Sequence, residues 1–95
     1  MALLAKIAEA TDPSEVIITL TDDELELEWK SDYLTMVITD QTETDGYLVG
    51  TAFMGNDYTT NAPLVEREFT AVSVELMLEL INNHAEGFLS RYEGE

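Results

Sequence analysis

The sequence contains no cysteine, and it has only four basic side chains against twenty acidic ones. Without cysteine the chain forms no disulfide, no thiolate metal site and no cysteine nucleophile. With four basic residues it has no positive surface that would hold DNA, RNA or an anionic membrane. We therefore expect neither direct nucleic-acid binding nor membrane binding.

Long apolar runs are also missing. No segment approaches the roughly 18 consecutive apolar residues of a membrane span, and Lys6 interrupts the apolar start too early for a secretory signal. The length of 95 residues predicts one domain over residues 1–95. A hydrophobic content of 45% argues against disorder despite the net charge of -16. We expect a folded cytoplasmic protein.

Apolar and polar side chains alternate along the middle of the chain, which is the pattern of half-buried strands. In the clearest case Leu25, Leu27 and Trp29 are expected to point inward and the intervening glutamates outward. Short turns between the segments favour antiparallel pairing. The predicted strands cover residues 16–21, 24–30, 33–39 and 47–54, with a brief fifth pairing over 58–60 before Pro63 ends the sheet.

Helical periodicity appears at both ends of the chain. Residues 2–10 predict a short helix, and apolar residues recur every three or four positions from Val74 to Tyr92. Thr70 or Ser73 is the candidate N-cap of this second, long helix. Its wide apolar face needs a sheet to cover. The predicted fold is therefore α+β and two-layered: a short N-terminal helix, an antiparallel four- to five-stranded meander, and a long C-terminal helix packed on one sheet face.

The sequence offers no arrangement for catalysis or cofactor binding. His84, the only histidine, lies on the long helix and is expected at the boundary of the core. The loop 40–46 lacks EF-hand ligands: with Gly46 sixth, Gln41 and Ala52 fall at the first and twelfth positions. We therefore expect no metal, no cofactor and no enzymatic activity. The aromatic side chains, Phe53 among them, are expected to pack in the core.

Six of the acidic residues fall within residues 22–32. On a strand, Glu24, Glu26 and Glu28 project from one face about 6.8 Å apart, a spacing similar to that of successive phosphates on a nucleic-acid strand. Because like charges this close repel one another, we interpret them as a surface that a basic protein recognises. The predicted partner-binding residues are Asp22, Asp23, Glu24, Glu26, Glu28, Asp32, Glu75 and Glu79.

The predicted function is that of a non-catalytic acidic inhibitor. It would imitate the negative charge of nucleic acid and block the basic groove of a nucleic-acid-binding protein or nuclease. In size, acidity and α+β build the chain resembles small viral or mobile-element inhibitors, the anti-restriction and anti-CRISPR proteins, although no motif identifies a family.

Two alternatives remain open: a small domain adapted to high salt, and an immunity protein or secretion-type chaperone for one cognate partner. Because Glu outnumbers Asp in this sequence, it speaks against the first of them. Monomer and homodimer are both open.

Overall fold

Two helices cover one face of a five-stranded antiparallel sheet in the computed structural model of the protein. The structure describes residues 2–29, 34–54 and 65–93. The strands follow one another in the sheet in chain order, β1-β2-β3-β4-β5, so the predicted α+β meander is confirmed. The elements are α1 (Ala2–Ala10), β1 (Val16–Leu20), β2 (Glu24–Trp29), β3 (Leu34–Gln41), β4 (Tyr47–Met54), β5 (Val65–Ala71) and α2 (Val74–Glu93).

Strict alternation along β2 and β3 places their large apolar side chains on one face. Leu25 pairs with Ile38 and Leu27 pairs with Met36, and all four are fully buried. Burying each such side chain stabilises the fold by about 1.5–3 kcal/mol. The helices cover this face, and the buried core consists of Leu4, Ile7, Val16, Leu25, Leu27, Leu34, Met36, Ile38, Leu48, Ala52, Phe69, Ala71, Met77, Ile81 and Ala85.

The long helix begins at a side-chain cap. The Ser73 hydroxyl accepts a hydrogen bond from the Leu76 backbone N–H at 3.2 Å, and the Ser73 carbonyl accepts one from the Met77 N–H at 3.0 Å. The first of these bonds satisfies a donor that has no partner within the helix, and the second is the first hydrogen bond of the helix itself. Of the two predicted caps, Ser73 is therefore the one used, and Thr70 lies in β5 instead.

The fifth strand is not where the sequence placed it. β5 runs over Val65–Ala71, pairs antiparallel with β4, and sets Phe69 opposite Gly50. The prediction that Pro63 ends the sheet is wrong, because a proline removes only its own N–H and β5 begins two residues later. The predicted pairing over 58–60 lies outside the described residues.

The hairpin between β3 and β4 closes two residue pairs later than expected, with the pairs Asp40–Leu48 and Gln41–Tyr47. β3 continues through Gln41, whose carbonyl accepts hydrogen bonds from the N–H groups of Asp45 and Gly46 at 2.8 and 3.1 Å. Gly46 has a φ of 83°, a left-handed conformation that favours glycine. Asp40 Oδ1 accepts from the Thr42 hydroxyl at 2.6 Å and from its N–H at 3.0 Å. These two bonds, the hydroxyl first, lower the pKa of Asp40.

Removal of the Thr42 hydroxyl is expected to destabilise the fold in a pH-dependent way. At pH 7, Thr42→Ala should lower the free energy of unfolding by about 1 kcal/mol, because a carboxylate loses a donor. Since the pKa of Asp40 is lower in the folded state, this stabilisation is complete well above 3.8 and disappears as the pH falls through the folded value. Urea unfolding from pH 7 to pH 3 should show the difference from wild type shrinking.

Thr44→Ala is the matched control for that variant. The Thr44 hydroxyl donates a long bond, 3.5 Å, to the neutral carbonyl of Gln41. Its loss should change stability little and equally at both pH values. A Thr42→Ala effect that is as large at pH 3 as at pH 7 contradicts the assignment to the ionised carboxylate.

Candidate acidic interface on the open face of the sheet

The face of the sheet opposite the helices is called the open face below. Successive side chains of a strand point to opposite sides, so the partners of the buried residues define one face and their neighbours the other. In the described strands the open face carries Ile17, Thr19, Glu24, Glu26, Glu28, Thr35, Val37, Thr39, Gln41, Tyr47, Val49, Thr51, Phe53, Glu66, Glu68 and Thr70.

Five carboxylates lie on this open face. Glu24, Glu26 and Glu28, the β2 acid row, project from β2 as predicted, and Glu66 and Glu68, the β5 acid pair, project from β5. Four of the five side chains are exposed and Glu26 is half-buried. Within the described part of the chain none of them is in an ion pair. Their charge is therefore open to a molecule that approaches this face.

The strand register brings the two sets of acids into the same cross-strand rows, on either side of β3 and β4. β2 and β5 are separated by β3 and β4, which places the β2 acid row and the β5 acid pair about 14 Å apart. From β2 to β5 two rows therefore run from glutamate to glutamate, and they read Glu26, Val37, Thr51, Glu68 and Glu28, Thr35, Phe53, Glu66. Beyond β2 these rows continue into β1 with Thr19 and Ile17.

Between the acids, β3 and β4 present an apolar and threonine-rich strip, called the floor below. It consists of half-buried side chains that do not pack against the helix-covered core. Phe53 belongs to the floor, so the prediction that it packs in the core is wrong: its position in β4 alternates with buried Ala52 and places it on the other side. The floor comprises Thr35, Val37, Thr39, Tyr47, Val49, Thr51 and Phe53.

Basic groups lie elsewhere in the described structure. Lys6 is exposed on α1, in the helical layer. Arg67 in β5 pairs with Ala52 on the helix-covered side, and its guanidinium donates to the Glu66 backbone carbonyl at 2.9 Å. Among the described residues, the open face thus carries five carboxylates and no cation.

The other predicted partner-binding residues are not gathered on the open face. Asp22 and Asp23 are exposed in the turn between β1 and β2, beside one end of the β2 acid row. Glu75 and Glu79 are exposed on α2, which covers the opposite side of the sheet. Asp32 lies outside the described residues. The negative charge is therefore present on both layers, and the open face is the side on which it flanks an apolar strip that neither α1 nor α2 covers.

Sequence reasoning missed the β5 acid pair because it did not recognise β5. The signal was present: in residues 65–71 Glu66, Glu68 and Thr70 alternate with Phe69 and Ala71. Arg67, on the inward side of the same strand, weakens this alternation.

His84 packs as an aromatic side chain. It is half-buried, and its ring stacks on Phe69 with a centroid distance of 4.4 Å and an interplanar angle of 16°. This contact lies on the helix-covered side, away from the five carboxylates. Over residues 2–29, 34–54 and 65–93, no three His, Asp or Glu side chains are grouped so that they would hold a metal ion.

Comparison with known proteins gives no match: no protein-family model, no curated protein and no solved structure is significantly similar to this chain. In the part of the chain that the structure describes, neither helix has the length and apolar character needed to cross a membrane.

Proposed function

We propose that the protein is a non-catalytic inhibitor that binds a basic protein through its open face. The five carboxylates would occupy the cationic groove that a nucleic-acid-handling protein, such as a nuclease, uses for phosphates. Binding there competes with nucleic acid, and it depends on charge in the same way as nucleic-acid binding does.

The single observation that carries the proposal is the sign of the charge on the open face. Five carboxylates, which have no cation beside them on this face among the described residues, repel one another, and this repulsion lowers the stability of the free protein. A cationic partner removes this repulsion. The charge that destabilises the free protein therefore stabilises the complex. Such a field also speeds association with a basic surface, and salt weakens it.

The proposal is tested by capture from a lysate at two salt concentrations. Immobilised protein should retain a DNA- or RNA-binding protein at 0.05 M KCl and release it at high salt. Added duplex DNA or RNA should displace it at low salt, because both ligands use the same groove. Retention of one protein that nucleic acid does not displace contradicts imitation of nucleic acid and favours the immunity or chaperone role.

Circular dichroism provides the control for that experiment. At about 0.15 M KCl the Debye length is near 8 Å, so salt screens only part of the repulsion within the β2 acid row and within the β5 acid pair. We expect the native spectrum at this concentration. Unfolding there, with recovery in molar KCl, contradicts the proposal and indicates a domain adapted to high salt.

A further inference from the structure

We propose that the element seated on the open face is a single amphipathic α-helix of the cationic partner. Its apolar stripe would lie on the floor, and lysine or arginine side chains on both of its flanks would reach the β2 acid row and the β5 acid pair. This inference rests on the proposed function and specifies the partner of the same face.

The width of the open face fits one helix. An α-helix with its side chains is about 10–12 Å across, and the two sets of acids are about 14 Å apart. The long stems of lysine and arginine cover apolar surface while their charged ends extend sideways. The basic side chains on the two flanks of a helix lying over β3 and β4 therefore come within reach of Glu26 and Glu68, and of Glu28 and Glu66.

The chemistry of the floor fits the same occupant. Val37, Val49 and Phe53 are apolar, lie in β3 and β4, and have neither α1 nor α2 above them. The apolar stripe of an amphipathic helix spans about 100° of its circumference, which suits a strip two strands wide. A basic partner without an apolar stripe leaves these side chains exposed to water, and its binding is stabilised only by the charge interaction.

The arrangement is similar to the binding of a recognition helix in the major groove of DNA. The major groove is about 12 Å wide and admits one α-helix between two rows of phosphates. The twist of the sheet, about 20–25° per strand, turns the β5 acid pair about 60–75° away from the β2 acid row. The open face therefore does not copy a straight duplex. Acids flank the floor on both sides only in the two rows that end in Glu68 and Glu66, so the open face copies one short stretch of groove, about 7 Å long, which is roughly five residues of helix.

Two synthetic peptides of identical composition serve as probes. In the first, leucines recur at helical spacing with lysine and arginine on both sides of the apolar stripe. In the second, leucines and basic residues alternate, so that the charge is equal and the helical stripe is lost. Fluorescence anisotropy in 0.05 M KCl measures both affinities. We expect the helical probe to bind the wild-type protein at least about tenfold more tightly.

Three variants of the protein separate the contributions. E24Q/E26Q/E28Q removes the β2 acid row, E66Q/E68Q removes the β5 acid pair, and V37T/V49T makes the floor polar while all five carboxylates remain. Each acid variant should weaken the helical probe at least threefold, since a helix lying between the two sets needs both. The floor variant should weaken the helical probe and leave the alternating probe unchanged. Circular dichroism verifies that every variant is folded.

The outcomes distinguish this inference from the proposed function. Equal affinities of the two probes, or dependence on the β2 acid row alone, overturn the single bound helix and leave the acidic interface intact. Affinities that none of the five Glu→Gln changes alters overturn both. A helical preference that is lost with either set of acids and with the floor supports both.

Discussion

Replacement of Glu24, Glu26 and Glu28 by lysine should weaken binding to the cationic partner at least about fivefold while the sheet stays folded. An exposed ion pair contributes about 0.2–1 kcal/mol, and reversal of its sign replaces attraction by repulsion. Three reversals therefore change the binding free energy by roughly 1–6 kcal/mol. These side chains project away from the core, and the change does not touch the buried side of β2. Titration calorimetry at 0.05 M KCl with the captured protein measures the loss.

The matched control reverses three exposed glutamates of the helical layer, Glu9, Glu79 and Glu86. Each lysine substitution adds two charge units, so both triple variants carry a net charge of -10 instead of -16. They differ only in the layer that is changed. The control should bind within about twofold of wild type. Equal losses in the two variants contradict a specific face and attribute binding to overall charge.

Replacement of Gly50 by alanine should lower the free energy of unfolding by about 1–3 kcal/mol, the usual effect of overpacking a core. A Cβ at this position would lie only 2.6 Å from Phe69 Cζ and overlap Cε2 of the same ring. Phe69 is 7% exposed and stacked on His84, so its ring has little room to move. Urea unfolding followed by circular dichroism measures the change.

A second substitution tests whether the Phe69 ring is the cause. Phe69→Leu removes the ring atoms that meet the new Cβ, so the alanine penalty should be much smaller in the Phe69→Leu background. Coupling of this kind is expected of residues in contact, whereas independent sites add. A penalty of equal size in both backgrounds contradicts the steric account.

The central part of the fold was predictable because its alternation is strict. In β2 every second residue is apolar, and one register places all of them on one side. The same alternation puts Leu34, Met36 and Ile38 on one face of β3, which the structure shows to be the buried one. A lone glycine inside a strand indicates either a bulge or a close approach, and at Gly50 the structure shows the close approach, with the Phe69 ring filling the space.

The candidate site was predictable only within single strands. The projection of Glu24, Glu26 and Glu28 from one face follows from local geometry alone. That Glu68 lies in the same cross-strand row as Glu26 depends on the pairing of four strands, which no local pattern contains. The position of Glu79 depends on which face of the sheet α2 covers. The periodicity of α2 shows only which side of the helix is apolar.

The floor was misjudged for a related reason. Phe53 is large and apolar, and burial is the usual fate of such a side chain. Its neighbour Ala52 is the residue that faces the helices, and only the pairing of Ala52 with buried Met36 reveals this. In this part of β4 the small residue is therefore buried and the large one lies on the open face, which is the reverse of what residue size suggests.

Carboxyl footprinting of the complex tests the central claim most directly. Carbodiimide coupling of glycine ethyl ester, read by mass spectrometry, reports which carboxylates a partner covers. With the captured protein bound, Glu24, Glu26, Glu28, Glu66 and Glu68 should become protected while Glu9, Glu79 and Glu86 react as in the free protein. Protection of the helical layer, or an equal decrease in labelling at all of these positions, contradicts recognition through the open face.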